Sequence, residues 1–129
     1  CIVGDGEMQE GSNFEALQLA SRFKLDNLLI IVDGNKLQAM DRVEDVGLNN
    51  NQLSNVLKAY PCNFSKLDGH NILELKKSFD KFFKKDNKSF SVMFCDTIKG
   101  KGIDFIEDSI KYHYRCPVED GFVLKGNNE

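Results

Sequence analysis

The chain has 129 residues, of which 41% are hydrophobic and 29% are charged, and its formal net charge is −3. This length fits one domain with a buried core, and the small negative charge argues against binding nucleic acid or an anionic membrane. No apolar stretch approaches the roughly 20 residues that a membrane-spanning helix needs. The four cysteines are widely spaced and form no CxxC pair, so we expect reduced thiols and a cytoplasmic location.

Four apolar segments predict β-strands. Three are rich in β-branched residues and cover residues 1–3, 28–32 and 90–95, and a weaker one covers 63–67. Continuous apolar runs of this length are typical of strands that are buried on both faces of a parallel sheet.

Helical patterns separate these strands. The first helix is predicted to begin at Ser12 or Asn13, and Glu15 follows Ser12 by three residues, as in a capping box. The spacing of apolar residues predicts a second helix over 51–60 and a third over 72–83.

The order of these elements indicates the fold class. The third helix is followed by a polar turn at 84–88, and residues 96–129 contain no further strand–helix unit. Strands that alternate with helices indicate an α/β fold with a parallel sheet, in a Rossmann-like three-layer α/β/α arrangement.

In such a sheet, ligands bind beyond the carboxyl ends of the strands. The segments at these ends all carry glycine and a polar or charged group: Gly4-Asp5-Gly6, Asp33-Gly34-Asn35, Asp68-Gly69-His70 and residues 96–102. We therefore expect the functional site along this edge of the sheet.

Asp5 and Asn35 follow the first two strands, so their side chains meet in one crevice if those strands are neighbours. A carboxylate, an amide oxygen and a nearby backbone carbonyl suit Mg²⁺ or Ca²⁺. Gly4 and Gly6 permit a close approach of the backbone to a phosphate. A single carboxylate is a modest charge for a bare ion, so we expect the ion to bind together with a diphosphate. An aspartate between glycines also occurs in plain turns, and these residues alone leave both interpretations open.

The flanking sequence identifies a family. The spacing from Gly4-Asp5-Gly6 to Asn35 is that of thiamine-diphosphate enzymes, and the stretch GDGEMQEGSNFEALQLASRFKLDNLLIIVDGNKLQ closely resembles the transketolase family. That family reads GDGE-x-x-EG-x-x-WEA and then IVD-x-N-x-x-Q. The segments Asp68-Gly69-His70, TIKGKGIDFIED and His113 also resemble it, so the resemblance runs from Cys1 to about residue 117.

The resemblance implies that the chain binds thiamine diphosphate with Mg²⁺ or Ca²⁺. Asp5 and Asn35 would bind the metal through their side chains, and Leu37 through its backbone carbonyl. Gly6 would donate its N–H to the diphosphate. The implied cofactor-binding residues are Gly4, Asp5, Gly6, Glu7, Asn35, Leu37 and His113.

Two further roles follow from the resemblance. His113 would contact the diphosphate and the substrate end of the site, and is the implied catalytic residue. Glu10 would lie at an interface between subunits. Glu7 and Glu15 have a second interpretation, in which they only support the turn and the start of the helix.

Three polar residues near the site have no assigned role. His70 is predicted to be a turn histidine that closes the third strand. Lys99 and Lys101 lie among glycines, so they are predicted to belong to a mobile, solvated loop, although both lysines could attract phosphate.

The sequence departs from the family at three positions. Phe14 replaces the family's tryptophan, a glycine is absent near Asp41, and Tyr114 follows His113 where the family usually has glycine. The last two differences put the substrate in question more than the cofactor.

The implied activity is transfer of a two-carbon ketol unit between sugar phosphates. The family's diphosphate-binding domain has more chain before the first strand, and a separate domain holds the pyrimidine ring of the cofactor. We therefore expect residues 1–129 to be the C-terminal part of that domain, incomplete at its N-terminal side and inactive alone. It would act in a homodimer, or in a heteromer with a chain that carries the pyrimidine-binding domain.

Other functions remain open. The alternatives are a 1-deoxyxylulose-5-phosphate synthase, a component of a 2-oxoacid dehydrogenase, and a non-catalytic subunit that retains the fold. Residues 10–16 disfavour the first two, because those relatives differ most in this turn.

Overall fold

Four strands form one parallel sheet in the order β1–β2–β4–β3. The computed structural model describes residues 1–84 and 88–116. The strands are β1 (Ile2–Gly4), β2 (Leu29–Gly34), β3 (Asn63–Asp68) and β4 (Ser91–Asp96). The predicted parallel sheet is therefore confirmed, and β1 and β2 are neighbours, as the meeting of Asp5 and Asn35 requires.

Helices lie on both faces of this sheet. They are α1 (Gly11–Phe23), α2 (Val43–Val46), α3 (Asn50–Lys58) and α4 (Ile72–Phe83), with short 3₁₀ turns at Glu7–Gln9 and Ile110–His113. Leu17 of α1 and Leu53 of α3 join Val32 and Phe94 in the larger core cluster. On the other face, α4 packs against the sheet. This arrangement confirms the three-layer α/β/α architecture.

The start of α1 differs from the prediction. The helix begins at Gly11, and Glu10 is its N-cap without a side-chain hydrogen bond, so the predicted cap at Ser12 or Asn13 is wrong. The reason is the preceding 3₁₀ turn, in which the Glu10 N–H donates to the Glu7 carbonyl at 3.1 Å. The Asn13 side chain donates to the same carbonyl at 2.7 Å and so fastens the turn to the helix.

The start of α3 carries a capping box that the sequence pattern did not reveal. The Asn49 side chain accepts the Gln52 N–H at 3.0 Å, and the Gln52 side chain accepts the Asn49 N–H at 3.0 Å. This reciprocal pair satisfies two N–H groups that a helix start leaves free. The helix consequently begins one residue earlier than predicted, at Asn50, and places that residue beside the end of β2.

Helix α4 matches its predicted range, but only part of its apolar stripe is covered. Leu75 and Phe79 pack against the sheet, whereas Ile72 and Phe83 are 77% and 69% exposed. Residues 85–87 of the predicted polar turn lie outside the described residues. Within the ranges that the structure covers, no helix is long and apolar enough to cross a membrane.

All four cysteines are free, as predicted. Cys1 and Cys116 are exposed, and Cys95 is buried in β4. Burial, with the nearby carboxylates of Asp33 and Asp96, raises the pKa of the Cys95 thiol to about 11. This thiol is therefore protonated at neutral pH and packs as a small apolar side chain.

Candidate cofactor site

An open cleft of about 1040 Å³ lies at the carboxyl ends of β1 and β2. The parallel register pairs Gly4 with Asp33, so the residues that follow the two strands emerge side by side. All eight residues predicted for the site line this one cleft: Gly4, Asp5, Gly6, Glu7, Glu10, Asn35, Leu37 and His113. Their assigned roles stay predictions, but the sequence grouped them correctly.

Asp5 is a carboxylate that is only 1% exposed. One oxygen accepts the Gly6 N–H at 2.9 Å and the other accepts the Lys36 N–H at 2.7 Å. Burial is the main cause that raises the pKa of Asp5, and the nearby charge of Asp33 adds to it, while hydrogen bonds from Lys36, Asn50 and Gly6 act in the opposite direction. A carboxylate kept under these conditions is a strong candidate for binding a cation.

Asn35 is 7% exposed and has both ends of its amide in use. Its Nδ2 donates to Asp33 Oδ2 at 2.9 Å, and its Oδ1 accepts the Leu37 N–H at 2.9 Å. Asp33 also lines the cleft, and its second oxygen accepts the Thr97 hydroxyl. The sequence pattern gave no role to Asp33. The available signal was an acidic residue two positions before the proposed amide ligand.

A tight hairpin carries Leu37 into the cleft. Leu37 and Arg42 form an antiparallel bridge, and the Gln38 N–H donates to the Asp41 carbonyl at 3.0 Å. Non-glycine residues with positive φ in the described chain are Lys24, Lys36 and Asp108. The turn at residues 38–41 therefore closes in ordinary backbone conformations and does not need the family glycine near Asp41.

Gly6 lies against this hairpin. A Cβ atom at Gly6 would come within 2.8 Å of both Cβ and Oε1 of Gln38. This approach requires glycine, because real Cβ contacts are essentially never so short. Gln38 also lines the cleft and was not predicted as a site residue.

The glutamates of the first turn have different surroundings. Glu7 Oε2 accepts the Gly4 N–H at 2.6 Å, so this side chain closes the turn between β1 and the 3₁₀ segment. This contact favours the structural interpretation of Glu7. Glu10 and Glu15 are exposed at the start of α1, and the interface role of Glu10 stays a prediction.

Residues 97–113 complete the other side of the cleft. Lys99 and His113 both line it. Arg42 and Asp108 form an ion pair at 2.9 Å that links this segment to the hairpin. Lys101 pairs with Glu107 at 3.2 Å instead of facing the cleft.

His70 has a structural place outside the cleft lining. Its Nε2 accepts the Ile98 N–H at 2.8 Å, and its own N–H donates to Asp68 Oδ1 at 2.9 Å. These bonds close the turn after β3, as predicted, and join it to the segment after β4.

The donor atoms of the cleft fit a hard divalent ion. Among the described residues, no group of three or more His, Cys, Asp and Glu side chains could hold a metal. A site here must therefore combine the Asp5 carboxylate with neutral oxygens. The Asn35 amide and the Leu37 backbone carbonyl supply such oxygens beside Asp5, and oxygen ligands are those that Mg²⁺ and Ca²⁺ prefer.

The fold and this cleft define an α/β domain that binds its ligand at the carboxyl edge of a parallel sheet. Residues 1–122 match the family model described as transketolase, thiamine diphosphate binding domain. The chain therefore belongs to the transketolase family and corresponds to its thiamine-diphosphate-binding domain.

Individual relatives agree with this assignment. The chain is 35% identical over 119 residues to one of the named subunits of apulose-4-phosphate transketolase from Actinobacillus succinogenes, covering 92% of this chain and 42% of that protein. It is 34% identical to human transketolase, covering 88% of this chain and 17% of that protein. The crystal structure of transketolase from Campylobacter jejuni aligns with a TM-score of 0.74 and 31% identity, over 86% of this chain and 17% of that one. The chain thus spans less than half the length of these relatives.

Proposed function

We propose that this chain supplies the diphosphate and divalent-metal site of a transketolase that transfers a two-carbon ketol unit between sugar phosphates. The observation that carries the proposal is the buried Asp5 carboxylate, which shares one cleft with Asn35 and Leu37 at the adjoining ends of β1 and β2. When bound, thiamine diphosphate would supply the carbanion chemistry, and the protein its placement and electrostatic environment.

The charge of the cleft supports a metal requirement. Four carboxylates line it (Asp5, Glu7, Glu10 and Asp33) against a single lysine, Lys99. A bare diphosphate would be repelled there, whereas an ion that bridges the diphosphate to the protein reverses the local sign. Mg²⁺ is the ion we propose, with Ca²⁺ as a substitute of similar ligand preference.

The remaining residues have distinct roles in this proposal. The Gly6 N–H, which donates to Asp5 in the structure, would turn to the diphosphate. His113 is exposed at the rim of the cleft, where it would reach the diphosphate and the substrate. Lys99, on the same segment, would add positive charge beside the phosphate oxygens. Glu10 would face a second protomer from the outer end of the cleft.

A partner chain is part of the proposal. The relative from Actinobacillus succinogenes is named as one subunit of its transketolase, which favours a divided enzyme in which another chain carries the pyrimidine-binding domain. In that arrangement residues 1–129 form the C-terminal part of the diphosphate-binding domain. A homodimer of a longer chain is the alternative assembly. The four free cysteines favour a cytoplasmic location.

Calorimetric titration with thiamine diphosphate tests the proposal. Binding is expected in the presence of Mg²⁺ and is expected to weaken at least about 100-fold in Asp5→Ala, because the substitution removes the only carboxylate among the proposed ligands. Asp68→Ala is the matched control, since Asp68 is an exposed carboxylate in a turn at the far end of the sheet.

The outcomes separate the alternatives. Binding that needs Mg²⁺ and survives Asp68→Ala but not Asp5→Ala supports the proposed site. Binding that ignores Mg²⁺, or that survives Asp5→Ala, overturns it. If the folded chain alone binds nothing, the titration is repeated with the candidate partner chain, and failure there favours a non-catalytic role in the assembly.

A further inference from the structure

Asn35 raises a problem of orientation that the proposed function leaves open. The oxygen and nitrogen ends of an asparagine amide are almost identical in shape, but only the oxygen binds a hard cation. A site that uses Asn35 must therefore hold the amide in one of its two orientations. The energy that does so has to come from the groups around it.

Asp33 supplies that discrimination. Its Oδ2 accepts the Asn35 Nδ2 at 2.9 Å, while Asn35 Oδ1 points to the Leu37 N–H at 2.9 Å. An ionised carboxylate only accepts hydrogen bonds. The reversed amide would place its oxygen against Asp33 Oδ2 and its NH₂ against the Leu37 N–H, losing both hydrogen bonds and creating two repulsive contacts.

Asp33 is itself held from two directions. Its other side-chain oxygen accepts the hydroxyl of Thr97, which lies 64 residues further along the chain. Its backbone carbonyl accepts the Asp5 N–H at 3.1 Å. Asp33 is thus hydrogen-bonded to both proposed metal-binding side-chain residues, to Asp5 through the backbone and to Asn35 through the side chain.

Thr97 is held in turn by the glycine turn after β3. A Cβ atom at Gly69 would overlap the Cγ2 methyl of Thr97, so Gly69 lets the threonine pack directly on the turn. The contacts form a continuous series from Gly69 through Thr97 and Asp33 to Asn35. This series connects the two ends of the carboxyl edge.

We infer that Asp33 and Thr97 are positioning residues, which keep the amide oxygen of Asn35 directed toward the metal ion. This inference rests on the proposed function for the identity of the ion. The orientation of the amide, however, can be measured without any metal.

The first test is a double-substitution cycle on the Mg²⁺ requirement for binding thiamine diphosphate. Asp33→Asn is expected to raise the half-saturating Mg²⁺ concentration about 10-fold, which is the usual scale for residues that orient metal ligands. The same substitution in an Asn35→Asp background is expected to leave that concentration unchanged or lower it, because a carboxylate presents an oxygen in either orientation. A purely structural role for Asp33 would cost the same in both backgrounds.

Thr97 offers a second test that needs no metal. In the wild-type chain, the NMR signal of the Asn35 side-chain NH₂ group should show the downfield shift and slow exchange of a hydrogen-bonded proton. Thr97→Val removes the hydroxyl with little change of shape and should reduce both features, whereas Thr97→Ser keeps the hydroxyl and should retain them.

The two tests fail in different ways. Equal losses in both backgrounds of the cycle, or no loss for Asp33→Asn in the wild type, overturn the inference while the proposed function stands. If the wild type shows no Mg²⁺-dependent binding, the proposed function fails, and the NMR comparison decides the inference. Identical Asn35 signals in the wild type and in Thr97→Val overturn it.

Discussion

The two ends of the carboxyl edge of the sheet use the same residue types for different purposes. After β1, Asp5 is 1% exposed, and two backbone N–H groups point to its carboxylate inside a large cleft. After β3, Asp68 is exposed and its carboxylate only closes a local turn with His70. Both segments read as aspartate beside glycine. The difference lies in burial and in the neighbouring strand, which brings a second polar residue to Asp5.

This comparison shows what marks a functional carboxylate in this fold. At the β3–β4 end each polar group described above has a partner that stabilises the chain, including the Lys66–Asp96 ion pair at 3.4 Å. At the β1–β2 end a carboxylate is kept buried at a cost that its environment only partly offsets. Uncompensated burial of a charge is the physical feature that separates a candidate site from a well-made turn.

The largest expected effect comes from Gly34, the last residue of β2 and a buried position beneath the cleft. A Cβ atom there would lie 2.7 Å from a ring carbon of Phe94 and 2.9 Å from the Cys95 carbonyl. The ring and the backbone of β4 cannot yield cheaply, so Gly34→Ala is expected to lower the free energy of unfolding by about 2–3 kcal/mol in urea denaturation.

Gly11→Ala is the matched control for this substitution. No atom lies within 4 Å of a Cβ at Gly11, in the first turn of α1, so stability should change by no more than about 0.5 kcal/mol. Similar effects at the two glycines would show that close packing does not distinguish the end of β2.

The pH dependence of stability offers a second way to isolate Asp5. Burial raises the pKa of Asp5 above its ordinary value of 3.8. Between 3.8 and the folded-state pKa the native chain binds more protons than the unfolded chain, so this group lowers stability as pH rises through that interval. Above it, the full cost of the buried charge is present.

Asp5→Asn removes this titration. In urea denaturation without metal, the stability of the variant relative to the wild type is expected to increase with pH from about 4 upward and then to level off. The lost acceptor for one backbone N–H shifts this difference by a constant and does not change its slope. A difference that is flat, or that decreases with pH, would contradict a raised pKa for Asp5.

The sequence predicted those parts of the molecule that depend on local pattern. Apolar runs located the strands within one or two residues, and the rule that ligands bind at carboxyl ends grouped Asp5 and Asn35 in one cleft. The strand order β1–β2–β4–β3 was not predicted, because pairing is decided by contacts between distant segments. The role of Asp33 was missed for the same reason, since its partner Thr97 is 64 residues away.

Local competition explains the other misses. The 3₁₀ turn at Glu7–Gln9 supplies acceptors for the N–H groups near the start of α1, so the serine cap that the pattern favoured is not used. The short helix Val43–Val46 follows a hairpin whose closure depends on the Lys36 carbonyl accepting the Val43 N–H at 3.0 Å. Its four residues are too few to produce a helical period.

The smallest expected effects concern the two histidines, which represent the two ends of the edge. His70→Ala leaves the Ile98 N–H without its acceptor, so the free energy of unfolding should fall by about 1 kcal/mol. Binding of thiamine diphosphate with Mg²⁺ should not change, because His70 does not line the cleft. His113→Ala should do the reverse, since this exposed side chain lies at the cleft and not in the core.

For His113→Ala we expect stability within about 0.5 kcal/mol of the wild type and binding of the cofactor about 10-fold weaker, the scale of one lost hydrogen bond to a charged group. Urea denaturation and calorimetric titration of the two variants measure both quantities on the same samples. Weaker binding in His70→Ala would mean that the turn after β3 influences the cleft, and Thr97 would be the residue through which that influence passes. Unchanged binding in His113→Ala would remove this histidine from the site and leave Asp5, Asn35 and Leu37 as its proposed centre.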